Sequence, residues 1–164
     1  MDIVSFIHEV GALKLTPRSG WLKLGIKLPE SVAEHSFRTA IIAMILAIES
    51  GEEERAFKAC AAALLHDLHE ARTTDLHKVA KSYVEVNEDK ARREQQPFSF
   101  DFSDVEKFVR DADKLELAFQ AVEYSRLVGD AMEFAEGLEF ETEAARRIYG
   151  ELMKRRDPRW WKSF

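Results

Sequence analysis

The feature that most constrains this chain is an apolar run that ends in two adjacent polar side chains. Residues 59–65 are all alanine, cysteine or leucine, and His66 and Asp67 follow directly, with Glu70 about one helical turn further on. Such a run predicts a buried helix. Because an unpaired charge at the end of a buried helix costs several kcal/mol, the stretch predicts a bound cation at that point.

Apolar residues recur at helical spacing along most of the chain, which predicts amphipathic or buried helices. No convincing strand, internal repeat or low-complexity segment interrupts this pattern. The sequence therefore predicts an all-α fold in a single domain. The predicted helices cover residues 2–14, 32–48, about 52–67, about 103–127 and about 130–156, the last broken near Gly137.

Two of these helices carry further candidate ligands. Residues 31–34 fit a capping box, so the second helix begins near residue 32 and His35 lies in its first turn. A lone histidine in an apolar helix is more often structural, and it becomes a candidate ligand only where others converge. In the long helix, Asp111 and Asp113 are both candidates. Asp113 shares a face with apolar neighbours, which favours it weakly, but periodicity leaves the choice open.

Together, His35, His66, Asp67 and one aspartate of the long helix would form a site of nitrogen and oxygen ligands. Without thiolates, this is no structural zinc finger, and it suits one divalent transition ion such as manganese, cobalt, iron, nickel or zinc. An ion there lowers the pKa of bound water and polarises a phosphoryl oxygen. Glu70 is then placed to accept a proton from that water.

A loop over residues 15–29 offers Arg18 and Trp21, and Asp75 is a further polar group within reach. Proline and glycine punctuate this loop. One interpretation is a surface arginine beside a tryptophan that anchors the loop to the core. The other is a cation and an aromatic lid for an anionic ligand that bears a ring.

Charge and composition limit the partners and the compartment. The net charge is −6 and no long basic stripe is present, which argues against a nucleic-acid duplex as partner. The single cysteine, Cys60, fits a reducing cytosol. The longest apolar run, residues 40–48, is far shorter than the ~20 residues that span a bilayer. We therefore expect a soluble cytoplasmic protein without a signal peptide, and the scarcity of asparagine and glutamine suggests a thermophilic source.

Four motifs follow one another along the chain: PESVAEHS at 29–36, LHDLHE at 65–70, Thr74-Asp75, and VRDADKL at 109–115. In this order they resemble the HD-domain metal-dependent phosphohydrolases, in the branch of the 5′-deoxynucleotidases and HD-domain-containing protein 2. The resemblance covers about residues 5–125. It implies a single HD domain over residues 1–164, a helical bundle with a metal site between its central helices.

The resemblance also implies a role for each matching residue. It selects Asp113 rather than Asp111 as a ligand, and it implies a homodimer, with which the aromatic tail of residues 160–164 is compatible. The matching positions are His35, His66, Asp67 and Asp113 for the metal, Glu70 and Asp75 for catalysis and substrate positioning, and Arg18 for the phosphate.

One departure concerns the sugar. In the bacterial enzymes a tryptophan directly follows the arginine and helps to select deoxyribose. Here Ser19 follows Arg18 and the tryptophan is Trp21, as in the Arg-x-Gly-Trp form of the eukaryotic branch. The implied reaction is hydrolysis of a (deoxy)ribonucleoside 5′-monophosphate to nucleoside and phosphate. The alternatives are another HD chemistry, on a nucleoside triphosphate, a cyclic nucleotide or an alarmone, and a non-catalytic metal- or nucleotide-binding module.

Overall fold

The computed structural model describes residues 1–164, apart from the side chain of Ser163, and it confirms the all-α prediction. Within this described chain there is no β-strand, and Pro17 and Ser31 form an isolated antiparallel bridge. Short 3₁₀ segments join several of the helices. The α-helices are α1 (Ile3–Val10), α2 (Val32–Glu49), α3 (Ala56–Leu65), α4 (Glu70–Thr73), α5 (Lys78–Lys81), α6 (Glu88–Gln95), α7 (Glu106–Tyr124) and α8 (Glu143–Arg155).

The centre of the fold is α2, which packs against α3 on one side and α7 on the other. The predicted capping box is present, because Ser31 Oγ accepts from the Glu34 N–H at 3.2 Å and Glu34 Oε2 accepts from the Ser31 N–H at 2.7 Å. Buried alanines, among them Ala43 of α2 and Ala59 of α3, add little bulk between the helices. The distance between helix axes depends on such side chains, so α2 and α3 can approach closely.

The end of α3 shapes the site. The helix stops at Leu65, slightly before the predicted end near residue 67, and His66 is its C-cap. The chain then turns into the short helix α4, with Leu68 buried against Leu13 and Val32. Burial of Leu68 fixes this turn, and the polar residues on either side of it are thereby held in place.

The two aspartates of α7 have different surroundings. Asp111 is fully buried, and its carboxylate accepts from the N–H groups of Glu141 at 2.9 Å and Thr142 at 2.7 Å. Thr142 is the N-cap of α8. Asp111 therefore fastens α8 to α7, which leaves Asp113 as the aspartate of this helix that faces the histidines.

Along the described residues, no helix combines the length and the apolar character needed to cross a membrane. At the C-terminus a 3₁₀ segment, Trp160–Ser163, carries two exposed tryptophans whose rings are 6.0 Å apart. The role of this aromatic tail in a dimer stays a prediction.

Candidate active site

The structure brings all four predicted ligands together where α2, α3 and α7 meet. His35 comes from the first turn of α2 and Asp113 from the middle of α7, and their Nε2 and Oδ1 atoms are 3.2 Å apart. Asp67 Oδ2 lies 3.1 Å from His66 Nε2 and 3.7 Å from His35 Nε2. Ligand atoms from three segments of the chain thus converge on one small volume.

The surroundings of His66 show that these residues fit a divalent ion. Its Nδ1 donates to the Ala63 carbonyl at 2.5 Å, because a carbonyl oxygen can only accept. The proton is therefore on Nδ1, and Nε2 is a buried nitrogen without a hydrogen-bond partner, which is costly unless something binds there. The ligand atoms of His35, His66 and Asp113 lie within 4.8 Å of one another. These three residues and Asp67 would hold the ion.

The charges of these groups also suit a cation. Burial raises the pKa of Asp67, but its contacts with His66, His35 and the Arg18 cation outweigh burial and hold that pKa well below its usual range. Burial also raises the pKa of Asp113, but the contact with His35 outweighs burial, and the pKa is lower than its usual value. Both carboxylates are therefore ionised at neutral pH and available as ligands.

A buried carboxylate behind His35 was missed by reasoning from the sequence. Glu116 Oε2 lies 2.6 Å from His35 Nδ1, and Glu116 Oε1 accepts from Arg38 Nε at 2.8 Å. A carboxylate on Nδ1 orients the imidazole and leaves Nε2 as the ligand atom. The available signal was spacing, since Glu116 follows Asp113 by three residues and so lies on the same side of α7.

Glu70 opens α4, and its side chain is almost completely buried, with Oε2 lacking a hydrogen-bond partner. Burial, followed by the charges of Asp67 and Asp75, raises the pKa of the Glu70 carboxyl to about 9. A divalent cation nearby would lower that value again. An ion held by the neighbouring ligands would therefore favour the carboxylate form, which a proton acceptor requires.

Asp75 follows a strained residue. Thr74 has φ 61° and ψ 163°, a region that is almost restricted to glycine. This bend ends α4 and turns Asp75 toward the loop at Ser19, whose N–H donates to Asp75 Oδ2 at 2.5 Å. Backbone strain of this kind is concentrated at functional sites.

Arg18 lies among the acidic residues of the site. Its Nη1 is 3.7 Å from both Asp67 Oδ2 and Asp75 Oδ1, and its Nη2 is 3.8 Å from Asp113 Oδ1. These separations exceed hydrogen-bond length, so the N–H groups directed at the carboxylates can donate to an anion that enters between them. A guanidinium in this position is suited to a phosphate.

Trp21 points into the protein rather than into this site. Its side chain is only 1% exposed, its Nε1 donates to Glu30 Oε1 at 3.0 Å, and its ring packs against Tyr124 and Phe134. The tryptophan therefore anchors the loop, in line with the first interpretation of this residue. Its predicted contact with a substrate stays a prediction.

At this helix junction two histidines, two aspartates and an arginine lie together, a set that suits a divalent ion beside an anionic ligand and is expected of a metal-dependent phosphohydrolase. The HD domain family matches residues 10–100 of the chain. Since that match covers more than half of the chain and includes His35, His66 and Asp67, the protein belongs to the HD domain family.

Individual relatives agree with this assignment. The 5′-deoxynucleotidase hdd1 of Schizosaccharomyces pombe is 30% identical over 149 residues, which cover 77% of this chain and 74% of the relative. The 5′-deoxynucleotidase HDDC2 of Danio rerio is 32% identical over 147 residues, covering 78% and 72%. A solved structure of a coding region from Archaeoglobus fulgidus is 59% identical, with a TM-score of 0.83 over 97% of this chain and 98% of the other. The chain is therefore an enzyme of the HD phosphohydrolase type.

Proposed function

We propose that the protein hydrolyses nucleoside 5′-monophosphates, deoxyribonucleotides in particular, to nucleoside and phosphate. The observation that carries the proposal is the position of Arg18, whose guanidinium lies within 3.8 Å of Asp67, Asp75 and Asp113 without a hydrogen bond to any of them. A phosphate that enters beside the four predicted metal ligands can bind this guanidinium directly. The two relatives named as 5′-deoxynucleotidases support the choice of substrate.

Each residue then has a defined task. Arg18 binds the phosphoryl oxygens and offsets the charge that they gain as the phosphorus is attacked. When bound, a divalent ion held by His35, His66, Asp67 and Asp113 activates water and polarises a phosphoryl oxygen. Glu70 accepts a proton from the attacking water.

Asp75 is proposed to position both Arg18 and the substrate. Its Oδ1 lies 3.7 Å from Arg18 Nη1, while its Oδ2 is held by the Ser19 N–H. The second oxygen therefore fixes the carboxylate, and the first remains available to the guanidinium and to a sugar hydroxyl. The net charge of −6 repels an anionic substrate, so the local positive charge of Arg18 is needed to attract it.

A phosphate-release panel tests the proposal. We expect free phosphate from dAMP, dTMP and their ribonucleotide counterparts, dependent on added manganese, cobalt, iron, nickel or zinc and faster with the deoxyribonucleotides. Pyrophosphate or tripolyphosphate released from triphosphates, with no turnover of monophosphates, would instead identify another HD chemistry. Nucleotide binding without any hydrolysis would identify a non-catalytic binding module.

Substitution of a ligand tests the metal site itself. His66→Ala should abolish both the metal content, measured by mass spectrometry of the purified protein, and the turnover of dAMP. His8→Ala is the matched control, because His8 is exposed on α1. Full activity in a His66→Ala protein that holds no metal would contradict the proposed mechanism.

We further infer a homodimer, and the surface that supports it lies on α2. Phe37, Ile41, Ile45 and Ile48 are spaced as one helix face and all are exposed, Phe37 to 65%. A contiguous apolar face of this kind marks an interaction surface, and a two-fold pairing of the same face on two copies would cover both. Light scattering should give the dimer mass for the native chain and the monomer mass for Ile45→Glu. A native monomer would contradict this inference.

A further inference from the structure

A cavity adjoins the proposed active site at the helix α4 and the residues on either side of it. Its volume is about 250 Å³, slightly below the ~300–1,000 Å³ that is usual for small-molecule sites. Glu70 is part of its wall. We call it the side cavity, and its wall includes His69, Glu70, Leu76, Lys81, Val84 and Val86.

The wall of the side cavity has the chemistry of a pocket for a flat heterocycle. Leu76, Val84 and Val86 give it apolar surface, and Lys81 adds a cation beside the carboxyl groups of Glu70, Glu85 and Glu88. His69 is 5% exposed, and its Nε2 lies 3.5 Å from a carboxylate oxygen of Glu88. The other ring nitrogen, Nδ1, is buried without a hydrogen-bond partner, so the imidazole has an atom that can pair with a ligand. An apolar wall with a few convergent polar groups is typical of ligand sites.

Glu70 joins the side cavity to the proposed catalytic groups. Its side chain lines the cavity, and it follows the predicted ligand Asp67 by three residues at the start of α4. The bend at Thr74 also belongs to both places, since it lines the cavity and directs Asp75 toward Arg18. The side cavity is therefore adjacent to the place where Arg18 would hold a phosphate.

From this geometry we propose that the side cavity is the nucleoside subsite of the enzyme, where Leu76, Val84 and Val86 enclose the base and His69 and Lys81 bond its edge. The inference rests on the proposed nucleotidase function and adds the place where the organic part of the substrate binds. It also explains the burial of His69. His69 lines the side cavity and is not one of the four predicted metal ligands. Its proposed role is therefore to bind the substrate and not the metal.

A substitution at the cavity rim tests the subsite. Val84 is 51% exposed, so Val84→Trp can be accommodated in the fold while its ring fills the cavity. We expect kcat/KM for dTMP to fall about tenfold or more, in the range by which a pocket discriminates between ligands. For 2-deoxyribose 5-phosphate, which lacks a base, kcat/KM should stay within about twofold of the native value, as for a surface substitution.

Val79→Trp is the matched control, because Val79 is a valine of α5 with 59% exposure that does not line the side cavity. It should leave kcat/KM for both substrates within about twofold. Val84→Ala serves if the tryptophan variant does not fold, since the smaller side chain should raise KM for dTMP a few-fold and leave 2-deoxyribose 5-phosphate unaffected. Equal losses on both substrates, or no loss on dTMP in either Val84 variant, would overturn the subsite.

Failure of the proposed function is distinguishable from failure of the subsite. If the native enzyme releases phosphate from neither substrate, the nucleotidase proposal is wrong. Calorimetric titration with thymidine then tests the subsite separately. Binding to the native chain that Val84→Trp removes and Val79→Trp retains supports the subsite, and equal or absent binding in all three overturns it.

Discussion

The Nδ1 atom of His35 lies 2.6 Å from Oε2 of Glu116, and neither side chain is exposed to solvent. Arg38 binds the other oxygen of the same carboxylate. Burial raises the pKa of Glu116, but the hydrogen bond to His35 and the charge of Arg38 lower it further than burial raises it. Glu116 is therefore an ionised group held in one orientation, and it fixes the direction in which His35 presents Nε2 to the site.

Glu116→Gln tests this arrangement. Glutamine keeps the volume but loses the charge, so we expect the affinity for a divalent ion to fall about 10–100-fold, as is typical when a group that orients a metal ligand is lost. Titration of the protein with manganese or cobalt against a competing chelator measures the change. Glu123→Gln is the control, since Glu123 also bonds Arg38 but not His35. Equal losses in the two variants would assign the effect to Arg38 alone.

Glu70→Gln separates proton transfer from metal binding. Because Glu70 is proposed to accept a proton and not to coordinate the ion, the variant should keep its metal and lose about 10²–10⁴-fold in kcat, the usual contribution of general base catalysis. Asp67→Asn should lose the metal and the activity together. Metal content and dAMP turnover, measured on the same preparation, distinguish the two. A Glu70→Gln protein without metal would make Glu70 a ligand.

Local sequence patterns were enough to predict the parts of the fold that depend on near neighbours. The capping box of Ser31 and Glu34 and the buried run before His66 lie within a few residues of their partners, so their geometry follows from helix periodicity. The resemblance based on the ordered motifs then predicted that His35 and Asp113 belong to one site. The structure places these groups as the resemblance implied, and their functional roles stay predictions.

The parts that could not be predicted depend on contacts between distant segments. Glu116 meets His35 across 81 residues of sequence, and Trp21 is buried by residues that follow residue 120. Periodicity places Asp111 on α7 but does not reveal that it accepts from the N–H of Thr142. Such pairings depend on how α2, α7 and α8 pack, and that information is absent from any single helix pattern.

Thr74→Gly tests the strain beside the site. At φ 61° and ψ 163° a threonine pays of order 1–3 kcal/mol that glycine does not, and the extra chain entropy of glycine offsets part of this gain. We expect the free energy of unfolding to rise by about 1 kcal/mol while kcat/KM falls, because Asp75 is held less firmly. Urea denaturation and dAMP kinetics measure the two effects.

Thr73→Gly is the control for that experiment, because Thr73 is the last residue of α4 and its hydroxyl donates to the His69 carbonyl. It should lower the free energy of unfolding by about 0.5 kcal/mol, as expected for glycine in a helix. If Thr74→Gly is destabilising to the same extent, the backbone at Thr74 is not strained.

Acid stability provides a last prediction, at the contact that ties α1 to α4. The Glu9 carboxylate accepts two hydrogen bonds from Arg72 and one from Gln95, and the bonds from Arg72 lower the pKa of Glu9 below its ordinary value of 4.5. A lowered pKa in the folded state means that this stabilisation is complete above pH 4.5 and is lost as the pH falls through the folded-state pKa.

Glu9→Gln should therefore lower the free energy of unfolding by about 1 kcal/mol at pH 7, the upper range for an exposed ion pair. The difference from the native chain should shrink below pH 4.5 and vanish once Glu9 is protonated in both states. Urea unfolding curves between pH 7 and pH 3 measure it. Glu94→Gln is the matched control, since Glu94 is 3.6 Å from Arg72 and largely exposed, and it should change little at any pH. A deficit in Glu9→Gln that stays constant down to pH 3 would show that the side-chain shape, and not its charge, stabilises this contact.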